Sequence, residues 1–121
     1  MAIVPVIRCK SIKRAVDFYT RILDFTRADD DDLTDPAHVT LQRAGDLVFV
    51  SSHAGDGEFG QHLVVLCTDT TRLFQTFRDR GLVPPDGDSP LHRGPIEQSW
   101  GRREFAVDDP DGNTIIFSEL L

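Results

Sequence analysis

The sequence carries an internal echo that limits what it can fold into. Val6-Ile7-Arg8-Cys9 returns as Val64-Val65-Leu66-Cys67, Arg14 as Arg72, and Leu47-Val48-Phe49-Val50-Ser51 as Thr114-Ile115-Ile116-Phe117-Ser118. Around these echoes each half reads strand, helix, three strands. Neither half has enough apolar surface to close a core alone, so the 121 residues are expected to form one domain of two modules, about 1–57 and 58–121.

The detail within each half follows from periodicity. Ile3 to Cys9 reads as a strand, and Ser11 can cap a helix whose apolar stripe is Ile12, Ala15, Val16, Tyr19, Ile22 and Leu23. Asp24 to Asp32 is polar and acidic, with a short strand near Phe25. Val39 to Arg43 and Leu47 to Ser52 are strand-like runs around the hairpin signal Ala44-Gly45-Asp46. In the second half Leu63 to Cys67 is the strand, and Asp69 caps a helix carrying Leu73, Phe74 and Phe77, which Gly81 ends. Leu82 to Pro95 reads as loop with room for one short strand. Arg103 to Val107 and Thr114 to Ser118 form a last hairpin around Asp109-Pro110-Asp111-Gly112, in which Pro suits the second turn position and Gly the left-handed residue.

Charge and composition narrow the partners. Thirteen Lys and Arg against twenty Asp and Glu give a net charge of −7, which argues against nucleic-acid or anionic-membrane binding and mildly favours a cationic ligand. No apolar stretch approaches the roughly 20 residues of a membrane span. The start of the chain lacks the pattern of a secretory leader. Cys9 and Cys67 are too few for a disulfide framework and read as buried thiols of a cytoplasmic protein.

Val4-Pro5-Val6, Ala15-Val16-Asp17-Phe18-Tyr19, Trp100-Gly101-Arg102-Arg103-Glu104-Phe105 and Asp109-Pro110-Asp111-Gly112-Asn113 stand in an order that resembles the glyoxalase, bleomycin-resistance and extradiol-dioxygenase (vicinal oxygen chelate) superfamily. The Trp-Gly-Arg-Arg-Glu-Phe run is closest to the bleomycin-resistance branch. The resemblance implies an α+β fold of two βαβββ modules whose curled mixed sheets form a cup, with helices on the outer face. It also implies cups completed by two chains in a homodimer. Enzymes of the superfamily hold a divalent metal through His, Glu or Gln at four inward positions. Counted along this chain, those positions fall on Val4, Phe49, Leu63 and Ile116, none of which can donate to a metal. His62, one residue from Leu63, would be a single ligand at most. No metal and no other cofactor is therefore expected.

Strand alternation then selects the side chains that line the cup. Ile115 and Phe117 suit the helix-covered side, as do Phe105 and Val107. Trp100, Arg102, Glu104, Thr114, Ile116 and Ser118 are left facing inward, with Leu47, Phe49 and Ser51 in the first module. Cys67 is weighed as a cup residue beside Val65 and, lacking an activating base, is read as a core thiol. Arg102 and Glu104 are expected to form an ion pair. His38, His53 and His92 have no spacing that pairs them, and of these His38 is kept as a candidate. The ligand-binding set is therefore Trp100, Phe49, Arg102, Glu104, Thr114, Ser118 and His38, with no catalytic residue. Aromatic walls with a few polar groups have the composition of a binding pocket. The expected function is sequestration of a cationic, aromatic small molecule, such as a bleomycin-like glycopeptide, in a cleft of the dimer. The alternative is a metal-dependent glyoxalase, thiol transferase or dioxygenase of the same superfamily.

Overall fold

Alternation of apolar and polar residues builds two four-stranded mixed sheets with the same internal order. The computed structural model describes residues 1–121. Its elements are β1 (Val6–Arg8), α1 (Ile12–Arg21), β2 (Thr26–Arg27), β3 (His38–Arg43), β4 (Asp46–Ser51), β5 (His62–Leu66), α2 (Thr70–Asp79), α3 (Pro90–Arg93), β6 (Ile96–Glu97), β7 (Arg102–Asp108) and β8 (Thr114–Leu120). The sheets run β1-β4-β3-β2 and β5-β8-β7-β6, each with one parallel pair at its start. No helix is long and apolar enough to cross a membrane. The chain divides into two compact units, one of residues 1–61 with 109–113, the other of residues 62–108 with 114–121.

In the first unit Ser11 caps α1 by accepting from the Arg14 amide at 3.3 Å, and Asp35 accepts from the Ile12 amide at 2.9 Å. The buried stripe of Ile12, Ala15, Val16 and Tyr19 packs on the face of the sheet that carries Ile7, Val39, Leu41, Val48 and Val50. The strand expected from Ile3 is shorter. Pro5 has no amide to give to the ladder, so pairing begins after it, with the Pro5 carbonyl accepting from Phe49, and Ile3 is almost wholly exposed. The helix also stops at Arg21, two residues short of the full stripe, while Leu23 remains buried beyond it. The β3–β4 hairpin turns through Ala44 and Gly45, both with positive φ, the combination that matches strand twist in a two-residue loop. Gly57 brings the following loop so close to β1 that a Cβ there would meet the Val6 carbonyl at 2.9 Å.

The second unit has an aromatic core. Phe77 of α2 meets Phe117 edge-on at 5.0 Å, Phe74 meets Phe105 at 5.2 Å, and Phe105 stacks on Phe117 at 5.1 Å. Asp69 caps α2 through the Arg72 amide, and Glu119 adds three bonds at the same end, to the Asp69 and Thr70 amides and the Thr70 hydroxyl. The Thr70 hydroxyl and amide hold the Glu119 carboxyl below its usual value. Gly81, at φ +108, closes the helix with its amide on Arg78 and the Leu82 amide on Phe77. The segment Leu82 to Pro95, read as loop with room for one short strand, holds the four-residue α3 and no strand, and the short strand β6 follows just beyond it. Pro90 at the first position of α3 supplies the fixed φ that a helix start accepts.

The turn between β7 and β8 belongs to the first unit. Asp109 is buried there, and its carboxylate accepts from four donors: the Asp111 and Asn113 amides at 2.9 Å each, the Asn113 side chain at 2.9 Å and the Tyr19 hydroxyl at 2.7 Å. Asn113 in turn donates to the Arg8 carbonyl and accepts from the Gln61 amide, both at 3.0 Å. Removing one donor leaves buried charge under-solvated. Tyr19→Phe is therefore expected to lower stability by about 1.5–3 kcal/mol with little change in packing volume. Urea denaturation measures it, and a loss below about 0.5 kcal/mol, the level of an ordinary surface change, would contradict this role.

Candidate functional site

Pairing register decides which side chains share a face. In the second sheet Leu63, Ile115 and Val107 stand side by side, as do Val65, Phe117 and Phe105, on the side covered by α2. The other face carries the rungs His62–Thr114–Asp108, Val64–Ile116–Ala106 and Leu66–Ser118–Glu104, followed by Leu120–Arg102. Arg102, Glu104, Thr114 and Ser118 are thus brought together on this open face, as the alternation implies. Cys67 has the parity of Val65, which faces the helix side, and so does not join them. It is half-buried.

Glu104 is the unusual member of this face. It is only 8% exposed, yet its carboxylate has no hydrogen bond or ion pair within the chain. The expected pair with Arg102 does not form. Residues two apart on a strand are about 6.6 Å apart along it, and the Arg102 guanidinium reaches Ser118 Oγ instead, at 3.4 Å. Ser118 is itself the cross-strand partner of Glu104. Large apolar side chains surround this polar group on the same face: Val64 is 57% exposed, Leu66 65% and Leu120 73%. Trp100 is 63% exposed at a tight turn, where the Gly101 amide donates to the Gln98 carbonyl and Gly101 takes φ +80. Thr114 has its hydroxyl committed, donating to Asp108 at 2.9 Å.

Phe49 and His38 lie on the open face of the first sheet, their rings 4.8 Å apart and tilted by 59°. Ser51 shares that face but is fully buried, donating to Asp56 at 2.8 Å and accepting from the His53 amide. Arg8, in the neighbouring strand, lies with its guanidinium 4.5 Å from the centre of the Phe59 ring. Of the candidate residues, then, four share one face of the second sheet, Trp100 stands at the turn before β7, and two share a face of the first.

The metal question turns on donor chemistry. Leu63 does not face the open side, because it stands level with Ile115. A shift of one residue reverses a strand's faces, so His62, level with Thr114, takes that position. Val4, Phe49 and Ile116 offer no donor atom, and no three His, Cys, Asp or Glu side chains converge anywhere in the chain. A lone imidazole does not match the donor set that a divalent ion requires, so the residues do not fit the metal of the superfamily's enzymes. Cys9 gives no alternative nucleophile. Burial, followed by the charges of Asp111, Asp35 and Asp109, pushes its thiol up to about 12.

Sequence reasoning missed two features. The unpartnered state of Glu104 depends on where Arg102 points, which no motif encodes. The bond between His92 and Asp108, 2.8 Å long, joins residues sixteen positions apart through a helix of four residues too short to show periodicity.

The fold has clear relatives among solved structures. A bleomycin-binding protein complexed with bleomycin superposes with a TM-score of 0.76 at 19% identity, covering 100% of this chain and 99% of that one. A bleomycin resistance determinant encoded on transposon Tn5 gives 0.75 at 19%, covering 99% and 98%. A superfamily member from Sphaerobacter thermophilus DSM 20745 gives 0.70 at 24%, covering 96% and 94%. At these identities the likeness is one of fold. No curated protein matches the sequence. The family model of the glyoxalase/bleomycin resistance protein/dioxygenase superfamily matches residues 3–117. Nearly the whole sequence thus agrees with the doubled sheets, and the chain belongs to that superfamily.

Proposed function

We propose that this chain is a non-catalytic binding protein that sequesters a cationic, aromatic small molecule, an antibiotic or a metabolite, in a cleft shared by two copies of the chain. The observation that carries the reading is Glu104: a residue only 8% exposed whose carboxylate has no partner within the chain and is left to solvent, set among exposed apolar side chains on an open sheet face. A carboxylate so placed, answered only by water, gains from a cation that pairs with it in a largely apolar setting. A protonated amine joined to a flat apolar group meets both requirements, the amine at Glu104 and the ring against Trp100. Arg102, Ser118, Thr114, Phe49 and His38 are further proposed contacts. The net charge of −7 favours approach of a cation. The bleomycin-bound relative supports binding as the mode of action. Cys9 and Cys67 form no disulfide, which supports a reducing, cytoplasmic setting.

Trp100 is the only tryptophan, so its fluorescence reports on the site alone. Titration with bleomycin is expected to quench or shift its emission. Trp100→Ala is expected to weaken binding by roughly 1–3 kcal/mol, and Glu104→Gln by roughly 1.5–3 kcal/mol, the range of a charged hydrogen bond. If bleomycin fails, the same titration with cationic aromatic amines tests the site apart from that ligand. Binding left unchanged by both substitutions would move the site elsewhere.

The rival reading, a metal-dependent enzyme, lacks donors at Val4, Phe49 and Ile116. Protein mixed with excess zinc or manganese and passed through gel filtration is expected to keep far less than one equivalent. Near-stoichiometric retention by elemental analysis would restore the enzyme reading.

Pairing of two copies is proposed from the exposed apolar groups at the chain start and on β5, an edge strand: Met1, Ile3, Val64 and Leu66. Removal of residues 1–4, which precede β1, is expected to weaken both assembly and ligand binding. Light scattering showing a full-length monomer at micromolar concentration that still binds would refute it.

A further inference from the structure

Three side chains of the second unit stand in one hydrogen-bonded line. Ser89 Oγ lies 2.6 Å from His92 Nδ1, and His92 Nε2 lies 2.8 Å from Asp108 Oδ1. A carboxylate only accepts, so the imidazole proton sits on Nε2 and points at Asp108. The lone pair of the neutral ring is then at Nδ1, and the Ser89 hydroxyl must donate to it. That direction is the one a general base needs to draw a proton from a nucleophilic hydroxyl. Asp108 is itself held: the same oxygen accepts from Thr114 Oγ1 at 2.9 Å, and Asp108 pairs with Thr114 across β7 and β8.

Ser89 also forgoes its usual work. It occupies the N-cap of α3, where a serine oxygen ordinarily accepts from an amide of the first turn. Here it makes no such bond and turns to the imidazole. If His92 served only to clip α3 to β7, the bond to Asp108 would suffice, and nothing would take the hydroxyl from its cap. Ser89 and the His92 side chain are both partly exposed. A cleft of about 480 Å³ lined by Asp88, Pro90, Arg93, Gly94, Pro95 and Ile96 runs past the residues on either side of Ser89.

We propose that Ser89 is a base-activated nucleophile that accepts acyl or phosphonyl groups from small activated electrophiles such as aryl esters, with His92 as the base and Asp108 as its positioning residue. In the acyl case Ser89 Oγ bonds to the carbonyl carbon while its proton passes to His92 Nδ1. The bond from that carbon to the aryloxide oxygen breaks, and the imidazolium returns the proton to the leaving oxygen, giving an acyl serine and a phenol. Base activation of this kind contributes about 10²–10⁴-fold, so the electrophile must be intrinsically reactive.

An alkyl fluorophosphonate tests the assignment directly, since a bond from Oγ to phosphorus replaces the one to fluoride, which leaves with the relayed proton. Mass spectrometry of the labelled protein gives a rate for each serine, and exposed Ser99 serves as the internal reference. Ser89 is expected to label at least about 100 times faster than Ser99, the lower bound of base activation. His92→Gln, with its fold checked by circular dichroism, is expected to bring the two rates together. Equal labelling of Ser89 and Ser99 in the unaltered protein, or an undiminished Ser89 rate in folded His92→Gln, would overturn the proposal.

Discussion

Four donors converge on the Asp109 carboxylate, and the first unit is organised around that convergence. Two come from the turn's own backbone and one from Asn113, so the turn is rigid before it meets anything else. The fourth is the Tyr19 hydroxyl, ninety residues away along the chain, at the centre of the buried stripe of α1. Burial first, then the charge of Asp109, pushes the Tyr19 phenol well above its ordinary range, so the hydroxyl keeps its proton and remains a donor. Asn113 extends the same network to the Arg8 carbonyl of β1 and the Gln61 amide. A carboxylate with all its acceptor positions used can be buried at little net cost, while one short of a donor cannot. Hence Asp109 and Asn113 admit few substitutes, whereas Pro110 and Asp111 between them remain partly exposed.

The same rule read in reverse singles out Glu104. Both residues are more than nine-tenths buried, yet the Asp109 carboxylate is satisfied within the chain and that of Glu104 is left to solvent. On the proposed function an outside cation pairs with it, and the exposed Val64, Leu66, Leu120 and Trp100 would provide an apolar setting for the remainder of such a molecule.

Much of this fold was legible because strand periodicity is rigid. The faces of β8 follow from Ile115 and Phe117 alone, and the caps at Ser11 and Asp69 follow from residue type and place. Register by one residue was harder. Leu63 and His62 sit in a run of apolar residues, where composition does not say which face is inward, and only the parallel pairing with β8 does. The length of β1 depended on a missing amide at Pro5, and α3 on four residues with no apolar stripe. The candidate site was legible as a set of inward positions. The partners within it were not, since Arg102 chooses Ser118 over Glu104 by reach rather than by sequence.

Because the two sheets share one order, their rungs can be compared one to one. Arg8–Ser51–His38 in the first corresponds to Leu66–Ser118–Glu104 in the second. The serine is kept, and the flanking charges change sign and strand. In the first unit the cation is already covered, its guanidinium resting on Phe59, and Ser51 is bonded to Asp56. In the second unit the serine receives Arg102 and the carboxylate beside it stays open. The doubled backbone therefore supplies two equivalent scaffolds, while chemistry differs rung by rung.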